Sequence, residues 1–174
     1  MPPQSDPSAD REFFISRVFD APRELVWTAW TDPRHLGRWW GPAHFTNPVC
    51  ELDVRPGGAH RMVMRSPEGI DYPIKGRFVE VVRPERLVMT LDVSEHPESW
   101  HQLLNPAHKK GENPAGELLQ TVVFEDLHGK TRLTIRTRFQ TVAIRDSMLK
   151  IGMTEGWSQS LDRLTTVVCH QASV

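Results

Sequence analysis

From Pro48 to Val93 the sequence runs PVCELDVRPGGAHRMVMRSPEGIDYPIKGRFVEVVRPERLVMTLDV, and polar and apolar side chains alternate along it with a period of two. That period belongs to strands, whose successive side chains point to opposite faces of a sheet. Three groups of turn residues divide it: Arg55-Pro56-Gly57-Gly58, Ser66-Pro67-Glu68-Gly69 and Arg83-Pro84-Glu85. Four strand-like runs joined by turns this short pair as neighbours in an antiparallel meander. One face of such a sheet is apolar, so the rest of the chain has to cover it.

The covering element is legible near the C-terminus. Between Thr141 and His170 the residues Met153, Trp157, Leu161, Leu164 and Val168 recur at spacings of 4, 4, 3 and 4, one apolar stripe on a long helix. Gly152 and Gly156 are positions where that helix can bend. Two more strands, ELLQTVVFEDL and KTRLTIRTRF, meet at a His128-Gly129 turn. Before the meander, EFFISRVFD reads as a first strand and APRELVWTAWTDP as a helix with Val26, Ala29 and Trp30 on one stripe. Asp32-Pro33 closes it and opens a second short helix, PRHLGRWW. The expectation is an α+β chain with about seven strands, two short helices after the first strand, and one long C-terminal helix.

At 174 residues, 39% apolar and 25% charged, the composition fits one domain over 12–171, with residues 1–11 a disordered Pro, Ser and Asp-rich tail. Ser94 to Glu117 is a polar insertion containing Pro97, Pro106 and Pro114. Inside it PESWHQLL has the makings of two helical turns with Trp100, Leu103 and Leu104 on one side. A loop of that length inside a compact domain is functional or disordered.

Net charge is -1, from 21 basic and 22 acidic residues, so no overall field draws in nucleic acid or an anionic membrane. No apolar run approaches the roughly 20 residues that cross a bilayer, and the start has no secretory signal, so a cytoplasmic location is expected. Cys50 and Cys169 form no C-x-x-C pair and read as two buried thiols. Dinucleotide, nucleoside triphosphate, zincin and serine-hydrolase motifs are missing, so no cofactor is expected. His96, His101 and His108 lie near Glu95, Glu98 and Glu112 in the insertion, but at no zinc spacing, and are expected to be solvated rather than metal-bound. Lys130, Arg132, Arg136 and Arg138 line one face of the last strand, where a solvated, edge-protecting face is the default.

Several segments carry a family resemblance: APRELVWTAWTDPRHLGRWWGP, DVRPGGAHRMVMRSPEG, KGRFVEVVRPERLVMT, VVFEDLHGKTRLTIR and GMTEGWSQSLDRL. In this order they resemble the activator of heat-shock-protein-90 ATPase homologues, within the START-like (SRPBCC) superfamily. The resemblance implies the helix-grip fold: a curved antiparallel sheet wrapped around the long helix, with a cavity between them. It also implies three readings of function, because the superfamily holds carriers, hormone receptors and cyclases on one fold. A small hydrophobic or aromatic molecule binds in the cavity without covalent chemistry; or a cyclase, aromatase or hydrolase-like step occurs there; or the chain acts on a chaperone. The eponymous activator has a chaperone-binding domain ahead of its helix-grip domain, where this chain has 11 residues before the first strand. A homodimer is a further implication of the resemblance.

Strand parity assigns the cavity side. His60, Met62 and Met64 should face inward, because Arg61 and Arg65 alternate with them; so should Ile74, Gly76 and Phe78, with a bulge near Glu80 able to switch faces. The same test places Met89, Gln120, Val122 and Phe124 inside. With Trp40 at the mouth and Met153, Trp157 and Leu161 on the helix, these form the expected ligand-binding set: Trp40, His60, Met62, Met64, Phe78, Met89, Gln120, Val122, Phe124, Met153, Trp157 and Leu161. Methionines suit ligands of varied shape, but equally fill irregular core gaps. His60 and Gln120 are polar on an apolar face and each needs a partner, either structural or a ligand; in the enzymatic reading His60 is the acid or base and Gln120 orients a carbonyl. Trp39 and Trp40, adjacent and therefore pointing in different directions, are assigned to the packing base and to the cavity mouth respectively.

Overall fold

The computed structural model describes the backbone of residues 9–172 and the side chains of 9–169. Seven strands form one antiparallel sheet: β1 Glu12–Phe19, β2 Thr46–Leu52, β3 Ala59–Arg65, β4 Asp71–Val82, β5 Arg86–Asp92, β6 Glu117–Leu127 and β7 Lys130–Arg138. Their order is β1-β7-β6-β5-β4-β3-β2, so the expected meander is closed by the first strand lying against the last. Helices α1 (Arg23–Thr31) and α2 (Pro33–Trp39) follow β1, α3 (Glu98–Leu104) lies between β5 and β6, and α4 (Val142–Lys150) and α5 (Met153–Ala172) end the chain. No helix among the described residues is long and apolar enough to cross a membrane.

The parity reading holds along the sheet. His60, Met62, Ile74, Phe78, Leu87, Met89, Leu118, Gln120, Val122, Phe124, Leu133, Ile135 and Thr137 are all buried. Leu161, Leu164 and Val168 of α5 are buried against this face. The β4–β5 register shifts between Phe78 and Glu80, where the bulge was expected. Asp32 ends α1 and caps α2, its carboxylate accepting the Arg34 backbone N–H at 2.9 Å.

Three expectations change. The C-terminal helix is two helices, because Gly152 adopts φ +102, a left-handed conformation that glycine takes without steric cost. In α3 it is His101 and Leu104 that are buried, whereas Leu103 is 67% exposed, so the inward face is rotated from the expected one. Residues Ala9–Arg11 form a 3-10 turn rather than tail, and the remainder of the expected tail, 1–8, lies outside the described residues.

Candidate functional site

A cavity of about 250 Å³ lies between the inner face of the sheet and the α4–α5 junction. The sheet contributes Met64, Ile74, Leu91, Leu118, Gln120 and Thr137; the C-terminal helices contribute Met148, Ile151, Gly152, Met153, Gly156, Trp157 and Ser160. Trp40, Gly41 and Pro42 form the end wall, and Val93, His96 and Trp100 bring in the insertion. Ile151 and Gly152 are partly exposed, so the cavity reaches the surface beside the helix break. None of these lining residues is charged.

Of the expected ligand-binding set, the structure brings five to this wall: Trp40, Met64, Gln120, Met153 and Trp157. Met62, Phe78, Met89, Val122, Phe124 and Leu161 are in the core instead, outside the cavity lining. The two tryptophans separate as parity demands. Trp39 is fully buried and its indole N–H donates to the Ala29 carbonyl at 2.8 Å, tying α2 to α1. Trp40 turns to the cavity, its ring edge-on to Trp157 at 5.3 Å.

His60 is inward but not on the cavity wall. Its Nε2–H donates to the Thr90 carbonyl at 2.8 Å, while the Arg77 backbone N–H turns to the Thr90 hydroxyl at 3.0 Å. The ring therefore satisfies a carbonyl beside the β4–β5 irregularity, and it lies over Gly76, its cross-strand partner. A Cβ on Gly76 would collide with the Thr90 carbonyl oxygen and sit 2.7 Å from His60 Nε2. Burial pushes the His60 pKa down, against the raising effect of the Thr90 bond. The ring is thus held through Nε2 and lies off the cavity lining, while its buried Nδ1 has no partner among the described residues.

The polar groups left on the cavity wall are different ones. Gln120 and Thr137 are cross-strand partners on β6 and β7, both fully buried. Neither the Gln120 amide atoms nor the Thr137 hydroxyl has a hydrogen-bond partner among the described residues. The buried Trp40 indole N–H is unpartnered as well. Thr137 alternates with Arg136 and Arg138 on β7 and so falls on the inner face, but its hydroxyl gains meaning only beside Gln120 across the strand pair.

His96, His101 and His108 were expected to be solvated; this is corrected for His101, which is buried, and above all for His96. It is only 9% exposed, edge-on to Tyr72 at 5.3 Å and to Trp100 at 4.5 Å, and neither ring nitrogen has a partner. Burial, helped by repulsion from His101, pushes its pKa down to about 3, so the ring is neutral at ordinary pH. The neighbouring histidines have structural partners: His101 Nε2 pairs with the Ser94 carbonyl at 3.1 Å, and His108 Nε2 with Glu98 Oε2 at 2.8 Å. The His108 interaction anchors the loop after α3 and raises the His108 pKa.

The outer-face arginines also find carboxylates. Arg136 and Arg138 both pair with Glu12, and Arg132 pairs with Glu125.

A family model described as "Activator of Hsp90 ATPase homolog 1-like protein" matches residues 20–168. Among solved structures, a Nitrosomonas europaea protein is similar at 26% identity, over 95% of this chain and 99% of that one, with a TM-score of 0.77. An Arthrobacter aurescens protein is similar at 25% identity, over 95% and 90%, with a TM-score of 0.75. A Silicibacter pomeroyi protein described as AHSA1 shares the fold at 22% identity, over 92% and 99%, with a TM-score of 0.71. No curated protein matches significantly.

Proposed function

The chain belongs to the family of Activator of Hsp90 ATPase homolog 1-like proteins, and from that premise we propose that it binds a small, mostly apolar or aromatic molecule in the cavity between sheet and C-terminal helices, without covalent chemistry. The helix-grip fold is that of a ligand-binding type of domain, and the cavity is the concave, largely apolar kind of site that such ligands use.

One observation carries the reading. The Gln120 amide and Thr137 hydroxyl are fully buried on the cavity wall, and no group among the described residues bonds them. Burying such groups unbonded costs about 1 to 3 kcal/mol each. An arrangement that only filled space would favour leucine and valine there. A ligand that carries a carbonyl or hydroxyl into the cavity satisfies them while its apolar body meets Met64, Leu118, Met153 and Trp157.

An apolar cavity of about 150 Å³ takes up benzene, so one of about 250 Å³ suits a molecule of one or two rings. The enzymatic reading has less support, since His60 lies away from the wall with its Nε2 bonded to Thr90. A chaperone role draws support from the family description alone.

The test is binding of 2-naphthol, followed by quenching of the tryptophans on the wall and by thermal shift, in wild type and in Gly156→Met. Gly156 lies on the wall with no tight contact at its Cβ position, so the added side chain enters the cavity. Saturable binding by wild type that is lost in Gly156→Met supports the reading. Absence of binding, or equal binding by the blocked variant, overturns it.

A further inference from the structure

Besides the Gln120–Thr137 pair on the sheet, the cavity has a second polar station. His96 enters its wall from the connection between β5 and α3, on a different wall from β6 and β7. Both of its nitrogens are buried without partners, and its ring is held edge-on between Tyr72 and Trp100. A side chain over nine-tenths buried, fixed by aromatic neighbours and lacking any protein hydrogen bond, is poised for a group inside the cavity. Apolar Leu91 and Val93, on the stretch of chain that leads from β5 to His96, line the same wall.

We propose that the cavity selects uncharged aromatic molecules bearing two separated hydrogen-bonding groups, one met by Gln120 and Thr137 and the other by His96. This deepens the binding reading above and rests on it. The bonding inventory supports it. A glutamine amide offers one acceptor and two donors, a threonine hydroxyl donates or accepts, and a neutral imidazole presents one donor and one acceptor. The pattern fits phenolic hydroxyl or carbonyl groups of either polarity.

The absence of charge among the lining residues sets the second half of the specificity. A carboxylate or ammonium placed in this cavity would be desolvated with no counter-charge, a far larger cost than an unpaired hydroxyl. His96 offers no such counter-charge, because burial keeps it neutral.

The experiment is calorimetry with four probes on one ring system: naphthalene, 2-naphthol, 2,6-dihydroxynaphthalene and 6-hydroxy-2-naphthoate. In wild type, the diol is expected to bind about tenfold tighter than 2-naphthol and the carboxylate at least about tenfold weaker than the diol. His96→Phe keeps the aromatic packing and is expected to abolish the roughly tenfold gain of the diol over 2-naphthol. The wild-type series needs no variant to fold. If 2-naphthol and the diol bind equally in wild type, or the carboxylate binds as well as the diol, or His96→Phe keeps the full gain, the two-station proposal is overturned while the binding function stands. If no probe binds wild type, both are overturned.

Discussion

The Arg163 guanidinium on α5 donates to the Trp40 backbone carbonyl at 3.0 Å. The same group reaches the carbonyls of Gly41 and Pro42 at 3.0 Å each and of Arg38 at 3.1 Å. One side chain thus holds the end of α2 and the turn that aims Trp40 at the cavity, with Gly41 at φ +95 making that turn possible. The cost of partial burial is visible in the lowered Arg163 pKa.

Replacing this group by methionine keeps the stem and removes every donor. Arg163→Met is expected to lose about 2 to 4 kcal/mol, as charge-assisted bonds are broken and carbonyls are left unpaired. Urea unfolding measures it. A loss below about 0.5 kcal/mol would show that the carbonyls are solvated and the clamp idle.

His60 separates a structural role from a ligand role. His60→Leu removes the donor to the Thr90 carbonyl and is expected to cost about 1 to 3 kcal/mol. Its affinity for 2-naphthol, measured on folded protein, should stay within about twofold of wild type, because the ring is not on the cavity wall. A normal stability with abolished binding is the contrary result.

Much of this was legible in the sequence, and the failures have physical causes. Period-two parity found the buried face of β3 to β7, because a sheet with one wet side leaves no other choice. It found Gln120 for the same reason. It also assigned His60 inward correctly, but burial does not distinguish a ring that bonds a ligand from one that bonds a carbonyl released by an irregular ladder. The cross-strand match of His60 with Gly76 was the available signal. His96 was hidden for a different reason. Whether a loop histidine faces solvent or folds back over a cavity depends on tertiary packing against Tyr72 and Trp100, which no local pattern encodes. Leu103 was misread because so short a helix carries too few residues to fix its face.

The buried neutral His96 makes stability depend on pH, and the sign follows from linkage. Its folded pKa, about 3, lies below the ordinary 6.5, so between those values the unfolded chain binds a proton that the native state does not. The contribution of the neutral ring is therefore fully present above pH 6.5 and is lost as pH falls toward 3, by on the order of 5 kcal/mol in total. His96→Phe should gain on wild type steadily between pH 7 and pH 4 in chemical unfolding. A difference that does not change with pH would mean that His96 is protonated, or solvated, in the folded protein.

Gly152 tests the division of the C-terminal helix. A Cβ there meets nothing within 4 Å, so Gly152→Ala isolates the backbone strain at φ +102 from any steric clash. A loss of about 1 to 3 kcal/mol is expected by thermal unfolding. An increase in stability would show that α4 and α5 run as one helix in solution.

The most direct test of the binding account is a paired measurement on Gln120→Leu, a change of similar volume that removes the two unpartnered amide atoms. If those atoms exist to meet a ligand, the free variant melts higher than wild type, binds naphthalene as well, and binds 2-naphthol about tenfold more weakly. A variant that melts lower and binds both probes as wild type does would contradict the account, because the amide would then serve the fold rather than a ligand.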